Sequence, residues 1–373
     1  MTEPKQHTLL GLTLQELTKL AEEFGQPAYR GRQLFDALYA QRIQTVEQIS
    51  TLPQDFHIRL AQDGSAVGLP VISKKFASSD GTVRYLMELP DGQTVETVWM
   101  PEGDNGEAGD GSEAGNQTDE PTRVRDRSTI CVSSQAGCAV DCQFCLTALL
   151  GLKRNLTAGE IVGQVCAVLN DQRVSPPQSR VNIVFMGMGE PFLNYENFMK
   201  AARLLVQGVG VAESRMTVST AGIVPRIYDF GAETIRPKLA ISLNASNDKL
   251  RTRLMPINHK WNLAQLMTAA RDFPLRTREK LTFEYVLLDG INDGAQNARE
   301  IAELVRGLRA KINLIAFNSG PGVAFQTPTD ARVSEFKEIL RAAGVPAFVR
   351  RPRGRDIFAA CGQLKRTLES NAA

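Results

Sequence analysis

From about residue 126 onward, short apolar segments alternate with longer segments in which apolar residues recur at helical spacing. Six of the short segments have the length and composition of buried strands, and they span 128–132, 181–186, 216–219, 239–243, 281–287 and 312–317. The helical segments include 158–169, 195–206, 263–273 and 295–308. A chain that alternates strand and helix in this way forms a parallel sheet covered by helices. The sequence therefore predicts an α/β fold, either doubly wound or a partial barrel, with its site at the carboxyl ends of the strands.

Three cysteines follow the first of these strands, within the window Gly137-Cys-Ala-Val-Asp-Cys-Gln-Phe-Cys145. Cys138, Cys142 and Cys145 have the spacing C-x3-C-x2-C, and three thiolates can hold three irons of a cubane iron-sulfur cluster. The fourth iron is then open to a small ligand. A structural zinc site is the alternative, but zinc needs four nitrogen or sulfur ligands, and the three histidines of the chain are distant in sequence. The window favours a cluster with one open position.

The composition is that of a soluble globular protein, with 373 residues of which 43% are hydrophobic and 23% are charged. No segment approaches the roughly 18 apolar residues of a membrane span, and the polar start lacks the pattern of a signal peptide. Six cysteines in a chain of this size indicate metal binding or catalysis rather than a disulfide scaffold. We expect a cytoplasmic protein without a membrane segment.

The net charge of the chain is low because one acidic segment offsets the positive charge of the rest. Residues 102–120 contain seven acids and no base. Because the whole chain has a net charge of +2, the rest of it carries +9, which suits a polyanionic partner. Residues 101–124 have almost no large apolar side chain, so we expect a disordered acidic insertion there.

Two smaller units precede the α/β region. We expect a helical accessory domain at 1–65, opened by a capping box at Thr13 and Glu16. A period-two pattern over 70–100, with turns at Asp80-Gly81 and Asp91-Gly92, predicts a three-strand β-meander that links this domain to the core. The core is expected to span 125–366.

Polar residues follow several of the predicted strands. Gly187-Met-Gly-Glu-Pro191 follows the second strand, where Glu190 can accept a hydrogen bond from an amine. Polar side chains also end the third, fourth and sixth strands, namely Ser219, Ser242, Asn244 and Asn318. Each of them alone is more typical of an ordinary loop residue. Because the carboxyl ends of parallel strands share one edge of a sheet, together they predict a polar binding site.

The remaining cysteines have two possible roles. Cys131 stands in the first strand, Cys166 on the apolar face of a helix, and Cys361 just after an arginine-rich segment, 350–355. A buried cysteine often acts as a small hydrophobic residue, and we assign Cys166 to that role. The arginines suggest contacts with backbone phosphates, which would place the thiol of Cys361 beside a nucleic acid. The two roles stay open for Cys131 and Cys361.

Five segments together resemble the RlmN/Cfr family of radical S-adenosylmethionine (SAM) RNA adenine methyltransferases. They are Val95-Glu-Thr-Val-Trp-Met-Pro101, Cys131-Val-Ser-Ser-Gln-Ala-Gly-Cys-Ala-Val-Asp-Cys-Gln-Phe-Cys145, Gly187-Met-Gly-Glu-Pro191, Ile241-Ser-Leu-Asn-Ala245 and Ala360-Cys-Gly-Gln-Leu364. The resemblance runs from the helical start to about residue 366 and is interrupted by the acidic insertion. It implies a partial (β/α)6 barrel with an N-terminal accessory domain that binds RNA.

The resemblance also implies the cofactors and their ligands. Cys138, Cys142 and Cys145 would hold a [4Fe-4S] cluster, and each turnover would use two SAM molecules. The implied SAM contacts are Gly189, Glu190, Ser219, Ser242, Leu243, Asn244 and Asn318. Many members of the family have histidine where this sequence has Asn244, so the contact at that position rests on a different side chain.

Carbon 2 of adenine is electron-poor and does not attack a methyl sulfonium directly, so the family uses another route. By resemblance, Cys361 takes a methyl group from one SAM. A 5′-deoxyadenosyl radical from the second SAM removes hydrogen from that methyl group, and the carbon radical adds to adenine. Glu96 matches the proton acceptor of the family. Cys131 would release the product by forming a disulfide with Cys361, a transient bond that a reducing cytosol permits.

The preferred interpretation is methylation at carbon 2 of an adenosine in large-subunit rRNA, and also in tRNA, with an electron donor such as flavodoxin. Two alternatives stay open. Enzymes of the Cfr type modify carbon 8 with the same cysteines, and a non-catalytic RNA-binding protein could carry a structural Fe-S or zinc site. We expect a monomer, because no long exposed heptad or repeat indicates otherwise.

Overall fold

A computed structural model describes residues 7–101, 127–176, 178–320, 322–350, 352–359 and 362–364. In this part of the chain, ten strands form one continuous sheet, and they follow one another across the sheet in their order along the chain. The strands are β1 (Val71–Ala77), β2 (Val83–Glu88), β3 (Thr94–Pro101), β4 (Arg127–Cys131), β5 (Arg180–Phe185), β6 (Met216–Thr220), β7 (Lys238–Ser242), β8 (Leu281–Leu287), β9 (Ala310–Ala316) and β10 (Ala347–Arg350).

The direction of the strands changes at β4. The pairs from β1 to β4 are antiparallel, and the pairs from β4 to β10 are parallel. The predicted meander is therefore confirmed, and it extends the parallel sheet directly. Among the described residues, two short strand pairs lie outside this sheet, His7–Thr8 with Ser65–Ala66 and Gln135–Ala136 with Arg154–Asn155. The linear strand order is that of an open, partial barrel.

Helices connect the parallel strands and form the N-terminal unit. They are α1 (Leu14–Glu23), α2 (Tyr29–Phe35), α3 (Gln54–Gln62), α4 (Ala158–Asp171), α5 (Tyr195–Leu204), α6 (Val224–Gly231), α7 (Asp248–Leu254), α8 (Leu263–Asp272), α9 (Ala295–Leu304) and α10 (Asp330–Ala342). π-helical turns, Asp36–Ala40 and Leu205–Val209, continue α2 and α5. The predicted capping box is present at α1, where the Glu16 N–H donates to Thr13 Oγ1 at 3.2 Å and the Thr13 N–H donates to Glu16 Oε2 at 2.6 Å.

The two faces of the sheet differ in polarity. Successive residues of a strand point to opposite faces, and paired residues on neighbouring strands share a face. One face belongs to the main hydrophobic core and carries Ile130, Ile183, Val218, Ile241, Phe283 and Ile312. The opposite face, which we call the interior face, carries Arg84, Glu96, Cys131, Ser219, Ser242, Glu284 and Asn313. The apolar face stabilises the fold, and the polar and charged side chains of the interior face are candidates for binding and catalysis.

The predicted fold class, an α/β partial barrel, is confirmed. Each of the six predicted strands is present within two residues of its expected bounds. The structure adds a seventh parallel strand, β10, which the sequence did not predict. Its four residues run directly into the arginine-rich segment, so its apolar pattern is too short to stand out.

The N-terminal helices share one continuous hydrophobic core with the sheet, through residues such as Leu17, Phe35 and Phe56. The domain boundaries at 65, 70–100 and 125 stay a prediction. Residues 102–124 of the predicted acidic insertion lie outside the described residues. Across the described ranges, no helix is both long enough and apolar enough to cross a membrane.

Tyr39 provides a test of how the N-terminal unit is held. Its buried hydroxyl donates to the Leu12 carbonyl at 2.7 Å and accepts from the Gly11 N–H at 2.9 Å. We expect Tyr39→Phe to lower the free energy of unfolding by about 1–3 kcal/mol, because the buried Gly11 N–H and the partly buried Leu12 carbonyl lose their partner. Urea unfolding followed by circular dichroism measures this. Tyr29→Phe is the control, since Tyr29 is 56% exposed, and an equal loss in both variants would contradict the role of Tyr39.

Candidate active site

Two of the catalytic candidates lie on neighbouring strands of the interior face. Cys131 ends β4 and pairs with Val98 of β3. Glu96 stands two residues before Val98, so its side chain points to the same face. Glu96 is fully buried, and its Oε1 lies 2.5 Å from Nη1 of Arg84, which is buried as well. The structure therefore brings Glu96 and Cys131 to one face and adds a cation that the sequence did not predict.

Arg84 is held by more than its ion pair with Glu96. Its guanidinium carbon lies 4.2 Å from the ring centre of Phe76 on β1. A buried charge is tolerated when it is paired and shielded in this way. The signal in the sequence is weak, because a charged residue in an alternating strand normally faces water. Only the contacts of Arg84 with Phe76 on β1 and Glu96 on β3 show that its side chain is buried.

The cysteine loop, residues 137–145, leaves the carboxyl end of β4 and is fixed by its backbone. The Cys138 N–H donates to the Gly151 carbonyl at 3.2 Å, and the Gln143 N–H donates to the Leu254 carbonyl, at the end of α7, at 2.9 Å. The loop ends in the short 3-10 helix Leu146–Leu150. The structure thus places all three predicted cluster ligands in one loop at the carboxyl rim.

The thiols of this loop are half-buried. Burial raises the pKa of Cys138 to about 12, and the nearby groups Glu190 and Cys145 add to this rise. Burial also raises the pKa of Cys142 well above its usual value. Since metals bind thiolates, iron that binds here would displace the protons of Cys138 and Cys142.

The loop fits an iron-sulfur cluster better than a single metal ion. Among the described residues, no three histidine, cysteine, aspartate or glutamate side chains converge closely enough to hold one ion. In a cubane cluster each thiolate binds a different iron, so its ligands stand further apart than those of one ion. Three thiols therefore match three irons, whereas a structural zinc ion would need four converging ligands.

Glu190 belongs to a segment, 187–190, that packs directly against residues 133–135. A Cβ on Gly189 would lie 2.5 Å from Cβ of Gln135, and a Cβ on Gly187 would lie 2.7 Å from Oγ of Ser133. The Glu190 N–H donates to Oε1 of Gln135 at 2.8 Å. Only glycine permits this approach, which ties Glu190 to the strand end that leads into the cysteine loop.

The carboxylate of Glu190 is buried at the rim, with 4% of the residue exposed. It accepts hydrogen bonds from the Phe192 N–H at 3.0 Å and from the Ala221 N–H, just after β6, at 2.7 Å. Burial nevertheless raises its pKa to about 7. A cationic amine beside it would favour the ionised form, so Glu190 suits the ammonium group that the sequence predicted as its ligand.

The other predicted SAM contacts lie along the same rim. The Oγ atoms of Ser219 and Ser242 are 3.1 Å apart. Leu243 is buried, and its N–H donates to the Glu284 carbonyl at 3.0 Å. Asn244 is in the left-handed region (φ +55°), and its Oδ1 accepts from the Val286 N–H at 2.9 Å. The amide of Asn244 is therefore engaged within the protein, and its contact with SAM stays a prediction.

The C-terminal segment packs over this rim. Oδ1 of Asn318 accepts from Nε of Arg355 at 3.0 Å, and Nη2 of Arg350 lies 3.9 Å from Oε1 of Glu284. Two of the arginines predicted to bind phosphate thus face polar groups of the protein itself. Cys361 lies outside the described residues. Its neighbour Gly362 accepts a hydrogen bond from the Leu146 N–H at 2.7 Å.

Arg251 of α7 is the largest feature that the sequence reasoning missed. Its side chain is fully buried at the carboxyl rim, where its Nη2 donates to the Ala221 carbonyl at 2.6 Å. In the sequence it stands in Asp248-Lys-Leu-Arg-Thr-Arg, a run of charges typical of an exposed helix. Only the position of α7 behind the cysteine loop shows otherwise.

Comparisons with known proteins agree with this geometry. A family model described as "Radical SAM superfamily" matches residues 132–305. A protein of Koribacter versatilis named "Probable dual-specificity RNA methyltransferase RlmN" is 64% identical over 346 residues, which are 93% of this chain and 98% of that protein. One of Syntrophobacter fumaroxidans named "Dual-specificity RNA methyltransferase RlmN" is 43% identical over 94% of this chain and 96% of its own length. The crystal structure of a radical SAM methyltransferase from Sphaerobacter thermophilus has a TM-score of 0.85 at 41% identity, and covers 96% of this chain and 98% of its own.

The partial barrel with a three-cysteine loop after its first parallel strand is the architecture of a radical SAM protein, a class that uses a [4Fe-4S] cluster and SAM. The similarity to the Koribacter and Syntrophobacter proteins is more specific and extends over nearly the whole chain. The chain belongs to the RlmN family of radical SAM RNA methyltransferases. The predicted family is confirmed, and membership in it favours an enzyme over a non-catalytic RNA-binding protein.

Gly137 provides a test of the cysteine loop. It has φ +80°, and a Cβ there would lie 1.8 Å from the Gly151 carbonyl oxygen. We expect Gly137→Ala to push the loop away and to lose most of the cluster iron, measured by iron and sulfide analysis after anaerobic reconstitution. Gly92→Ala is the matched control, because Gly92 has φ +77° but nothing within 4 Å of its added Cβ. It should lose about 1–2 kcal/mol of stability through backbone strain and keep its iron. A Gly137→Ala variant with full iron content would contradict this account.

Proposed function

We propose that this chain methylates carbon 2 of an adenosine in large-subunit rRNA and in tRNA, and that it uses two SAM molecules in each turnover. The similarity over nearly the full chain to proteins named dual-specificity RNA methyltransferases carries this proposal. The charge of +9 outside residues 102–120 supports an RNA substrate, because phosphates bind to basic surfaces.

Residues of the carboxyl rim would bind the cofactors. Cys138, Cys142 and Cys145 hold the cluster, and Glu190 accepts hydrogen bonds from the ammonium group of SAM. When bound, the cluster and SAM supply a 5′-deoxyadenosyl radical that removes a hydrogen atom from a methyl group on the protein. The hydrogen bond between the Ala221 N–H and Glu190 fixes the carboxylate before SAM arrives, so little ordering is needed on binding.

Cys361 is the proposed carrier of that methyl group. Its thiolate attacks the methyl carbon of SAM and displaces S-adenosylhomocysteine. A methyl group carried on the protein can then reach an electron-poor ring carbon by a radical route. The contact of its neighbour Gly362 with Leu146, the residue after Cys145, supports this role. It ties the C-terminal segment to the loop beside which the radical would form.

Glu96 and Cys131 complete the proposed reaction. Glu96 accepts the proton that leaves carbon 2, and the adduct gives its unpaired electron back to the oxidised cluster. Cys131 then attacks the sulfur of Cys361, so that a disulfide forms as the bond from that sulfur to the methylene carbon breaks, and the released carbon takes a proton to become the methyl group. Glu96 and Cys131 lie on the same face of neighbouring strands, which supports these two roles. The ion pair with the buried guanidinium of Arg84 fixes the position of the Glu96 carboxylate on this face.

The remaining parts of the proposal concern partners. A one-electron donor such as flavodoxin would reduce the cluster, and the chain would act as a monomer in the cytoplasm. The target base would leave its stack and enter the rim pocket, as in other enzymes that modify bases. The second candidate is methylation at carbon 8, as in the Cfr type, which would use the same cysteines.

An isotope experiment tests the product and the route together. Cluster-loaded protein is incubated anaerobically with methyl-deuterated SAM, a reductant and protein-free large-subunit rRNA, and the digested nucleosides are analysed by mass spectrometry. We expect adenosine methylated at carbon 2 with two deuterium atoms, because one leaves with the radical. A product with three deuterium atoms would mean direct transfer and would exclude the methyl carrier. A product at carbon 8 would establish the second candidate.

Substitution of the cysteines tests the carrier itself. We expect Cys361→Ala to reduce methylation by more than about 1000-fold, as when a nucleophile is removed, while cluster content stays unchanged. Cys166→Ala is the matched control, because Cys166 is fully buried in α4. It should keep its activity at a temperature where it is folded. Equal activity of the two variants would overturn the role of Cys361.

A further inference from the structure

The side chain of Arg251 is a buried cation whose hydrogen-bond acceptors are all neutral. Its Nε donates to the Leu243 carbonyl at 3.2 Å, and its Nη1 donates to Oδ1 of Asn258 at 3.1 Å. Its Nη2 donates to the carbonyls of Ala221 at 2.6 Å and Ser242 at 3.2 Å. Within the described residues, no carboxylate forms an ion pair with it. These bonds hold the guanidinium across the ends of β6 and β7.

A buried cation without a paired anion is energetically unfavourable. Taking a charge out of water costs several kcal/mol unless an opposite charge compensates for it. Burial lowers the pKa of Arg251 only to about 10, so the group stays charged at neutral pH. Asp248, on the same helix, acts on this charge electrostatically but does not form an ion pair with it. Within the described residues the charge therefore has no directly paired anion until something anionic binds next to it.

The cysteine loop lies next to α7, and an anion bound by this loop would be close to Arg251. Leu250 and Leu254, on either side of Arg251 in α7, pack in one apolar cluster with Cys138, Cys142 and Phe144. The Gln143 N–H donates to the Leu254 carbonyl at 2.9 Å. Helix α7 thus presents a fixed positive charge from behind the loop.

A cubane cluster held by three thiolates has a net negative charge, and its reduction adds one further negative charge. We propose that Arg251 is the buried counter-charge of the cluster and that it makes the cluster easier to reduce. Its four hydrogen bonds keep the guanidinium in place, and they leave its charge uncancelled because every acceptor is neutral. This inference rests on the cluster of the proposed function, and it adds a residue that tunes the cluster without binding it.

The test compares reduction potentials of the reconstituted cluster. Potentials are measured by a redox titration that is followed by electron paramagnetic resonance, without SAM or RNA. We expect Arg251→Gln to shift the potential to a more negative value, because the positive charge is lost. Arg251→Lys keeps the charge and should keep the potential, even though its shorter side chain loses hydrogen bonds and stability.

Arg236→Gln is the matched control. Arg236 is also a buried arginine, but it pairs with Glu279 at 3.1 Å and donates to the Pro274 carbonyl at 2.6 Å. It precedes β7, so it lies at the opposite, amino end of the sheet. This variant should be less stable, with an unchanged cluster potential. It separates damage to the fold from loss of charge near the loop.

Several results would overturn the inference. The potential of Arg251→Gln could equal that of the unaltered protein, or Arg251→Lys could shift as far as Arg251→Gln. If Arg251→Gln does not fold, Arg251→Lys decides. If Arg251→Lys is less stable but has an unchanged potential, the result supports a role for the charge. If its potential becomes more negative as its stability decreases, the inference is refuted. If the unaltered protein takes up no iron and sulfide, the proposed function fails first, and chemical analysis identifies that case.

Discussion

The contact between segment 187–190 and residues 133–135 joins two loops that are distant in sequence. Because Gly187 and Gly189 have no side chains, the backbone of this segment lies against the strand end that leads into the cysteine loop. The hydrogen bond from the Glu190 N–H to Gln135 then fixes the carboxylate beside that loop. The predicted cluster ligands and the predicted amine acceptor thereby become parts of one rim. The sheet can only provide this if β4 and β5 are adjacent and parallel, as they are.

The buried arginines of this protein differ in whether a carboxylate pairs with them. Arg84 is paired with Glu96, and at the opposite end of the sheet Arg236 is paired with Glu279. Arg251 has neutral acceptors instead. A paired charge orients a neighbour, whereas an uncompensated one acts over a longer distance in a medium of low dielectric constant. The protein therefore has both kinds of buried arginine, and the uncompensated one stands next to the predicted cluster site.

Local patterns in the sequence were sufficient for much of this architecture. The alternation of apolar strands and amphipathic helices predicts β4 to β9, and the capping box predicts the start of α1. The cysteine spacing predicts the loop, because the ligands are close in sequence. What could not be predicted depends on contacts between distant segments. Arg84 and Arg251 look like surface charges until their elements are placed in the fold, and Asn244 looks available until Val286 occupies its amide oxygen.

The central claim is that Cys138, Cys142 and Cys145 would hold a cluster with one open iron, and that Glu190 would bind the ammonium group of SAM on that iron. Electron paramagnetic resonance of the reduced cluster, recorded with and without SAM, tests it most directly. An open iron binds SAM, so the signal should change on addition of SAM, and Glu190→Gln should require more SAM for the same change. A signal that is identical with and without SAM would mean a closed, structural cluster and would contradict the account.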